Sequence, residues 1–401
     1  MKEIRTGVIG AGARSASYIR NVPAEFASRV RLTAVADPSE KSRSLFAQHL
    51  SGGAPTRYYE SAHDLLNSEE LDALVVGSPN HTHAEIALAA FEYKIPLLLE
   101  KPVATNVEDC RRLWQGYQSA GQPPVVVGFV LRYTPFYAKI KELVESNALG
   151  QILSIDADEN INPAITSVFY RNWRRYDKYS GGFMVEKCSH DFDILNWITG
   201  AKAVRVFSIA KRTHLTPRPR AEQHRRFDAE VTHRMAFDYG DPLTQKWFQS
   251  NSDESLYEAE SDVPDHQSVI LEFDNGILSN FTACHIQPRN TRRMRVFASN
   301  GALEGDIGRN KILMDIPFED RDGFTTQEID ITHDQSDGHH GGDSVINEAF
   351  WGAADGKPVE IRAGLKEGIE AVLVGLAAEE SKKTGLPVEV GPMRQHVFGS
   401  G

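Results

Sequence analysis

The residues best able to do chemistry begin at Gly10-Ala11-Gly12-Ala13-Arg14-Ser15, a Gly-x-Gly-x-x-Ser turn between an apolar run and a helical segment. Gly10 permits a tight turn. Gly12 lets the backbone come close to a pyrophosphate, which would sit on the positive end of the next helix. Ser15 stands where a third glycine is usual and is small enough for helix–strand packing. Asp37 ends the next apolar run, 25 residues after Gly12. A carboxylate there accepts hydrogen bonds from both adenosine ribose hydroxyls and repels a 2′-phosphate. The pattern predicts a dinucleotide, NAD ahead of NADP, with Arg14 and Lys41 or Arg43 as cations that would soften that preference. Without its flanking elements the same pattern is only a tight turn with no ligand.

Two more polar stretches close apolar runs. Ser78-Pro79-Asn80-His81-Thr82-His83 follows Ala73–Val76, and Glu100-Lys101-Pro102 follows Ile95–Leu99. In a doubly wound sheet, ligands gather at the carboxyl ends of strands. Lys101 follows Pro96-Leu97-Leu98-Leu99 with only Glu100 between, an expensive position unless it has work or a partner. It reads either as a reacting amine or as a surface lysine paired with Glu100. His81 and His83 resemble a metal pair, but they are one residue apart with no carboxylate nearby, so no metal is expected. Asn80 or Thr82 also reads as a helix cap. Cys110, Cys188 and Cys284 are odd in number and far apart, neither a disulfide framework nor a CxxC set, which suits a reducing cytoplasm.

The elements that must position these groups follow from the apolar spacing. Short continuous runs at Thr6–Ile9, Leu32–Ala36, Ala73–Val76, Ile95–Leu99 and Val125–Val130 alternate with helical segments such as His83–Tyr93 and Val107–Ala120, the signature of a buried parallel sheet. From about Gly150 the pattern turns to alternating strands: Gln151–Glu159, Val269–Phe273, Leu278–Ala283 and Met294–Ala298, with Asp274-Asn275-Gly276 as a turn. The fold class expected is therefore α/β, an N-terminal doubly wound sheet over 1–125 followed by an α+β unit over 126–401 with a large, mostly antiparallel sheet. Lys211–Pro264 is polar and reads as loops or an insertion with short strands. A helix over Ala363–Thr384, capped by Gly385, is expected to pack back on the first unit. At 401 residues two domains are the default. The formal net charge of −11 argues against sequence-independent nucleic-acid binding and against anionic membranes. No apolar run approaches a membrane span, and no signal-peptide core follows Lys2 and Arg5.

Taken in order, Gly7-Val8-Ile9-Gly10-Ala11-Gly12, Val35-Ala36-Asp37, Ser78-Pro79-Asn80-x-x-His83, Glu100-Lys101-Pro102, Gly128-Phe129-x-x-Arg132-Tyr133-x-Pro135, Ser180-Gly181-Gly182-x-x-x-Glu186-x-x-x-His190-Asp191-x-Asp193 and His340-Gly341-Gly342-Asp343 resemble the glucose–fructose oxidoreductase / inositol dehydrogenase / MocA family. The resemblance spans residue 7 to about 385. It implies a Rossmann domain, an α/β domain whose open sheet serves as an oligomer interface, a homodimer or homotetramer, and hydride exchange between nicotinamide and a secondary alcohol of a sugar or cyclitol. It also implies that Lys101 binds the reacting hydroxyl, that His190 accepts its proton, that Glu100 lies against the nicotinamide ribose, and that the bond before Pro102 is cis. By the same carry-over, Gly10, Gly12, Ala13, Arg14, Asp37, Ser78, Pro79, Asn80, His83, Glu100 and Lys101 are cofactor residues. Glu186 departs from the family, which usually has Asp there.

The chemistry asks for the same types of group. A carbinol carbon gives up hydride easily only as its hydroxyl proton is removed, which calls for a base and a cation at one oxygen. Asp193 is three residues after His190 and either orients the imidazole or solvates a helix face. Arg132, Trp173, Arg174, Asp193 and His340 are the candidate substrate contacts, with His339 as the alternative to His340 at the border of the site. Trp173 suits a sugar face, and the arginines suit a carboxylate or phosphate unless they pair with the acidic excess. Arg289, Arg292, Arg293 and Arg295 invite the same two readings. Two other functions share this resemblance: a glycosidase with tightly held NAD for transient oxidation, and a non-enzymatic dinucleotide sensor, which would lack the Lys–His pair.

Overall fold

Continuous apolar runs in the first 130 residues become neighbouring strands because each is buried on both faces and needs no polar alternation. The computed structural model describes residues 2–50, 55–228, 231, 243, 254–318, 320–332 and 338–399. Strands β1 (Ile4–Ile9), β2 (Val30–Ala36), β3 (Arg57–Tyr59), β4 (Ala73–Val76), β5 (Leu97–Leu99) and β6 (Val125–Val127) form one parallel sheet in the order β3-β2-β1-β4-β5-β6. The order reverses between β1 and β4, so the turns that follow them, at Gly10 and at Gly77-Ser78, lie at the topological switch point where such sheets bind ligands. Strand β3 was not foreseen. It is three residues long, at the sheet edge, and carries exposed Arg57 and Tyr58 rather than an apolar run. The expected fifth strand stops at Val127, and Val130–Tyr133 forms a 3₁₀ turn.

One face of this sheet (Ile9, Ala36, Val76, Leu99, Val127) is covered by the helices Ala62–Ser68, His83–Phe91 and Val107–Ser119. The other (Val8, Val35, Val75, Leu98, Val126) packs on Ala16, Tyr18 and Phe46, and on Ile346, Phe350 and Trp351 from a helix at Gly338–Ala354. A segment more than 200 residues downstream of β6 thus completes the first layer.

The second sheet has nine strands: β7 (Ile152–Asn160), β8 (Ala203–Lys211), β9 (His266–Phe273), β10 (Leu278–Cys284), β11 (Thr291–Ala298), β12 (Gly301–Asp306), β13 (Lys311–Pro317), β14 (Phe324–Asp330) and β15 (Val388–Glu389). Their order is β14-β13-β12-β11-β7-β10-β9-β8-β15, and every pairing is antiparallel except β7 with β10. Alternation is clean on β10, where Ser279, Phe281 and Ala283 are buried while Leu278, Asn280 and Thr282 are exposed. The fold class is the one expected: a Rossmann-type sheet followed by a mostly antiparallel sheet.

The C-terminal helix runs Leu365–Thr384 and ends at Gly385, whose φ of 71° is the left-handed cap. Only its beginning meets the first sheet, through Val127 N–H donating to Ala363 O at 2.9 Å and Gly368 against Val103 and Val127. Farther along it lies on the inner face of the second sheet, where Ser208 N–H donates to Ser381 Oγ at 2.9 Å. The polar stretch after β8 has 3₁₀ turns at Arg220–Glu222 and Arg225–Phe227 and no strand among its described residues; most of residues 229–253 lie outside the described set. No helix among the described residues is long and apolar enough to cross a membrane.

Candidate active site

The glycine-rich turn fits a dinucleotide in its backbone geometry. Gly10 has φ 92°, and a Cβ there would come within 2.6 Å of Ser78 N and 2.7 Å of Gly77 O. Gly12 faces open space, with its nearest neighbour at 3.9 Å, and caps the Ala13–Arg20 helix without any side-chain hydrogen bond. That helix end therefore offers backbone N–H groups to an anion. Asp37 stands beside the turn: its Oδ2 accepts from Ala11 N–H and its Oδ1 from Ser39 N–H, each at 2.9 Å. A carboxylate has four acceptor sites, so two such bonds leave capacity for ribose hydroxyls.

Arg14 leads from this turn to the residues that follow β5. Its Nε donates to Glu100 Oε1 at 2.8 Å, its Nη2 donates to Tyr18 OH at 2.8 Å, and its Nη1 lies 2.7 Å from Asp343 Oδ1. Tyr18 OH donates in turn to Glu100 Oε1 at 2.6 Å, and His339 Nδ1 is 3.0 Å from Asp343 Oδ2. Tyr18 and Asp343 were not foreseen as site residues, and His339 was expected only as the alternative to His340 at the border of the site. Tyr18 had a signal, since it lies four residues after Arg14 on one helix face. Asp343 sits in the Gly-Gly-Asp motif, where His340 was the expected contact. His340 is exposed at φ 55°, and it is His339 whose ring reaches the Arg14 cluster.

The Lys101–Pro102 bond is cis. Lys101 Nζ donates to Glu186 O at 2.7 Å and to Glu186 Oε2 at 2.9 Å, while Arg174 Nε donates to Glu186 Oε1 at 2.6 Å. Burial alone would raise the Glu186 carboxyl, but the charges of Lys101 and Arg174 outweigh it and hold it at about 2. His190 opens the Ser189–Thr199 helix. It is 9% exposed, and its Nδ1 has no hydrogen-bond partner among the described residues. Burial, and then the positive charges of Lys101, Arg292, Lys187 and His339, push its pKa well below 6.5, so the ring is a neutral base at pH 7. Phe129 packs against it at 5.6 Å between ring centroids.

Other expected contacts are redirected. Arg132 and Asp193 are not substrate contacts: two 2.7 Å hydrogen bonds join them as a buried pair, and Arg132 also donates to Arg362 O. Asp193 consequently does not orient His190. His83 is 1% exposed, with its ring nitrogens 2.7 Å from Pro102 O and 2.8 Å from Ser78 O, so it ties two strand ends together instead of touching a ligand. Asn80 is buried and donates to Ser180 O at 3.3 Å; Ser78 Oγ lies 2.7 Å from Thr82 Oγ1 after the turn-forming Pro79. Trp173 is half-buried. The Arg174 guanidinium lies over its ring at 4.3 Å, and His81, separated from His83 and flanked also by Tyr179, meets its edge at 6.4 Å. Strand alternation sorts the second arginine cluster: Arg292 faces inward to Asp191 and Glu159, whereas Arg293 and Arg295 face outward to Asp158 and Glu304. Cys188 is fully buried, and burial raises its thiol far above its usual range.

Residues 4–129 match the model of an oxidoreductase family with an NAD-binding Rossmann fold, and residues 141–390 match that family's C-terminal alpha/beta domain. The chain is 23% identical to YteT of Bacillus subtilis (strain 168) over 390 residues, covering 89% of this chain and 91% of that protein. It is 28% identical to inositol 2-dehydrogenase 1 of Saccharopolyspora erythraea over 205 residues, 51% of this chain and 56% of that protein. The solved structure of levoglucosan dehydrogenase in complex with NADH superposes with a TM-score of 0.74 at 18% identity, over 97% of this chain and 99% of that one. With both halves of the chain matched in order, and with a glycine turn shaped for a dinucleotide, this chain belongs to the Gfo/Idh/MocA oxidoreductase family and its first sheet is an NAD-binding Rossmann fold.

Proposed function

We propose that this oxidoreductase removes hydride from a secondary hydroxyl carbon of a sugar, sugar derivative or cyclitol, with Lys101 and His190 as the pair that handles the hydroxyl. The observation that carries the reading is a lysine after β5 clamped by Glu186, four residues before the buried His190 whose ring feels the lysine's charge. NAD, when bound, supplies the acceptor for the hydride. Gly10, Gly12, Ala13, Arg14, Asp37, Ser78, Pro79, Asn80 and Glu100 are the residues that would hold it, and His83 fixes the backbone beneath. Glu186 holds Lys101 through two of its three N–H donors, leaving the third for the substrate oxygen. That ammonium stabilises negative charge developing on the oxygen, and His190 takes the proton. The names of the inositol and levoglucosan dehydrogenases support a polyol substrate.

The proposal includes two units divided near residues 125–150, a cytoplasmic location, and a homodimer or homotetramer assembled through the outer face of the second sheet. Ile209, Ile270 and Leu278 are 55%, 52% and 52% exposed on that face. The test of the chemistry is NADH formation with a panel of aldoses, sugar acids and inositols. Lys101→Ala is expected to lower turnover by about 10²–10⁴-fold while the Kd for NAD, measured by calorimetry, changes little. Loss of NAD binding in that variant would make Lys101 a cofactor residue only.

A further inference from the structure

His190 has few bonds of its own to fix it. Its Nδ1 has no hydrogen-bond partner among the described residues, and Cys188, at the N-cap of the Ser189–Thr199 helix, makes no side-chain hydrogen bond to the first turn. The place of the imidazole therefore depends on whatever holds that turn. Asp191 is the acidic residue of the turn, and its Oδ1 accepts from Arg292 Nε at 2.8 Å, on a different element. Asp193, two residues on, is bound by Arg132 in the turn after β6. The two carboxylates thus tie the start of the His190 helix to the end of the first sheet on one side and to the second sheet on the other.

The tie to the second sheet is built from alternation and register. On β11, Arg292 shares the inner face with buried Met294 and Val296, and it stands directly across from Glu159 on β7. Its Nη2 reaches Glu159, and Lys187 Nζ lies 3.0 Å from Glu159 Oε1. Two cations and two carboxylates from three segments make one balanced cluster, and Arg292 is the member that contacts both acids. The side chains are largely buried, so removing one member strands its partners. With Nε and Nη2 engaged here, Arg292 is not the carboxylate or phosphate contact that its sequence cluster also allowed.

Resting on the dehydrogenase reading above, we infer that Arg292 is a positioning residue for His190, which clamps the turn carrying the imidazole to the second sheet through Asp191. Its charge has a second effect. Positive charge opposes protonation of the ring, and Arg292 on β11 acts in the same sense as Lys101 after β5, Lys187 on the histidine's own segment and His339 on the returning helix. The carboxylates nearby, Glu186, Asp191 and Glu159, each pair with a cation, and burial raises Tyr137 and Cys188 so that both stay neutral.

The test compares Arg292→Gln, Asp191→Asn, the double variant and Arg292→Lys in the full-length NAD-loaded protein. On the polyol oxidised fastest, Arg292→Gln and Asp191→Asn should each lower kcat by about 10–100-fold with a smaller change in KM. The double variant should be no slower than the slower single one, because the two side chains act as one clamp. Arg292→Lys should recover part of the loss. Losses that multiply in the double variant, or an unchanged kcat in either single variant, would overturn the inference. Asp191→Asn is nearly isosteric, and thermal unfolding shows that each variant is folded at the assay temperature. A readout without substrate is NMR of the histidine-labelled protein, with the His190 ring assigned by its loss in His190→Asn. In Arg292→Gln the ring signals should move and the ring pKa should rise by about half a unit or more. Signals and a titration identical to those of the unsubstituted protein would overturn the inference. Failure of every polyol to give NADH would overturn the dehydrogenase reading, while the ring titration still decides whether Arg292 controls His190.

Discussion

His190 and Glu186 show how one buried cluster sets two protonation states. Burial favours the neutral form of each, yet Lys101 and Arg174 keep Glu186 ionised, while Lys101 together with Arg292, Lys187 and His339 adds to the depression of His190. The consequence for pH follows from the sign. A base works unprotonated, and His190 gains its proton only below its lowered pKa, so kcat/KM should stay level from pH 7 through 6.5 and fall on a limb at lower pH. A kcat/KM profile with its acid limb above pH 6.5 would count against His190 as the base. Of these residues, Lys101 was legible from its place after three leucines and Asp37 from its spacing to Gly12, both local signals. His190 and Glu186 became legible only through the resemblance. The partners of Arg14 and of Asp193 were hidden, because a contact between residues 14 and 343 or 132 and 193 exists only once the sheets are assembled.

Between elements, the Arg132–Asp193 pair joins the Val130–Tyr133 turn, at the end of the first sheet, to the helix that carries His190. Both groups are out of water, so removing one strands the other. Arg132→Ala should cost about 3–5 kcal/mol of stability in denaturant unfolding. A rise in KM with unchanged stability would instead return Arg132 to the substrate site. The elements themselves were legible where burial is complete. The runs at β2, β4 and β5 have no competing pattern, and β9, β10 and β11 alternate visibly. β3 was not, since an edge strand of Arg-Tyr-Tyr has neither pattern. The Gly338–Ala354 helix was missed although Ile346, Ala349 and Phe350 have helical spacing, because it opens on His339, His340 and Gly341 with positive φ, which reads as loop.

For the whole molecule, internal pairs such as Arg292 with Asp191 cancel and leave the net charge of −11 to the remaining ionised groups. The outer face of the second sheet combines such ion pairs with Ile209, Ile270 and Leu278. If that face joins copies of the chain, Ile270→Asp with Leu278→Asp should yield a folded monomer by light scattering, and an unchanged mass would place the interface elsewhere. The returning Gly338–Ala354 helix bears on synthesis at the ribosome. When residue 129 leaves the exit tunnel, all six strands of the nucleotide-binding sheet have been made, but the cover supplied by Ile346, Phe350 and Trp351 has not. Val8, Val75 and Val126 await part of their packing until residues 346–351 have been made. The nascent nucleotide-binding sheet is thus a sticky intermediate until then, and a product truncated before Trp351 is a natural client for chaperones and proteases.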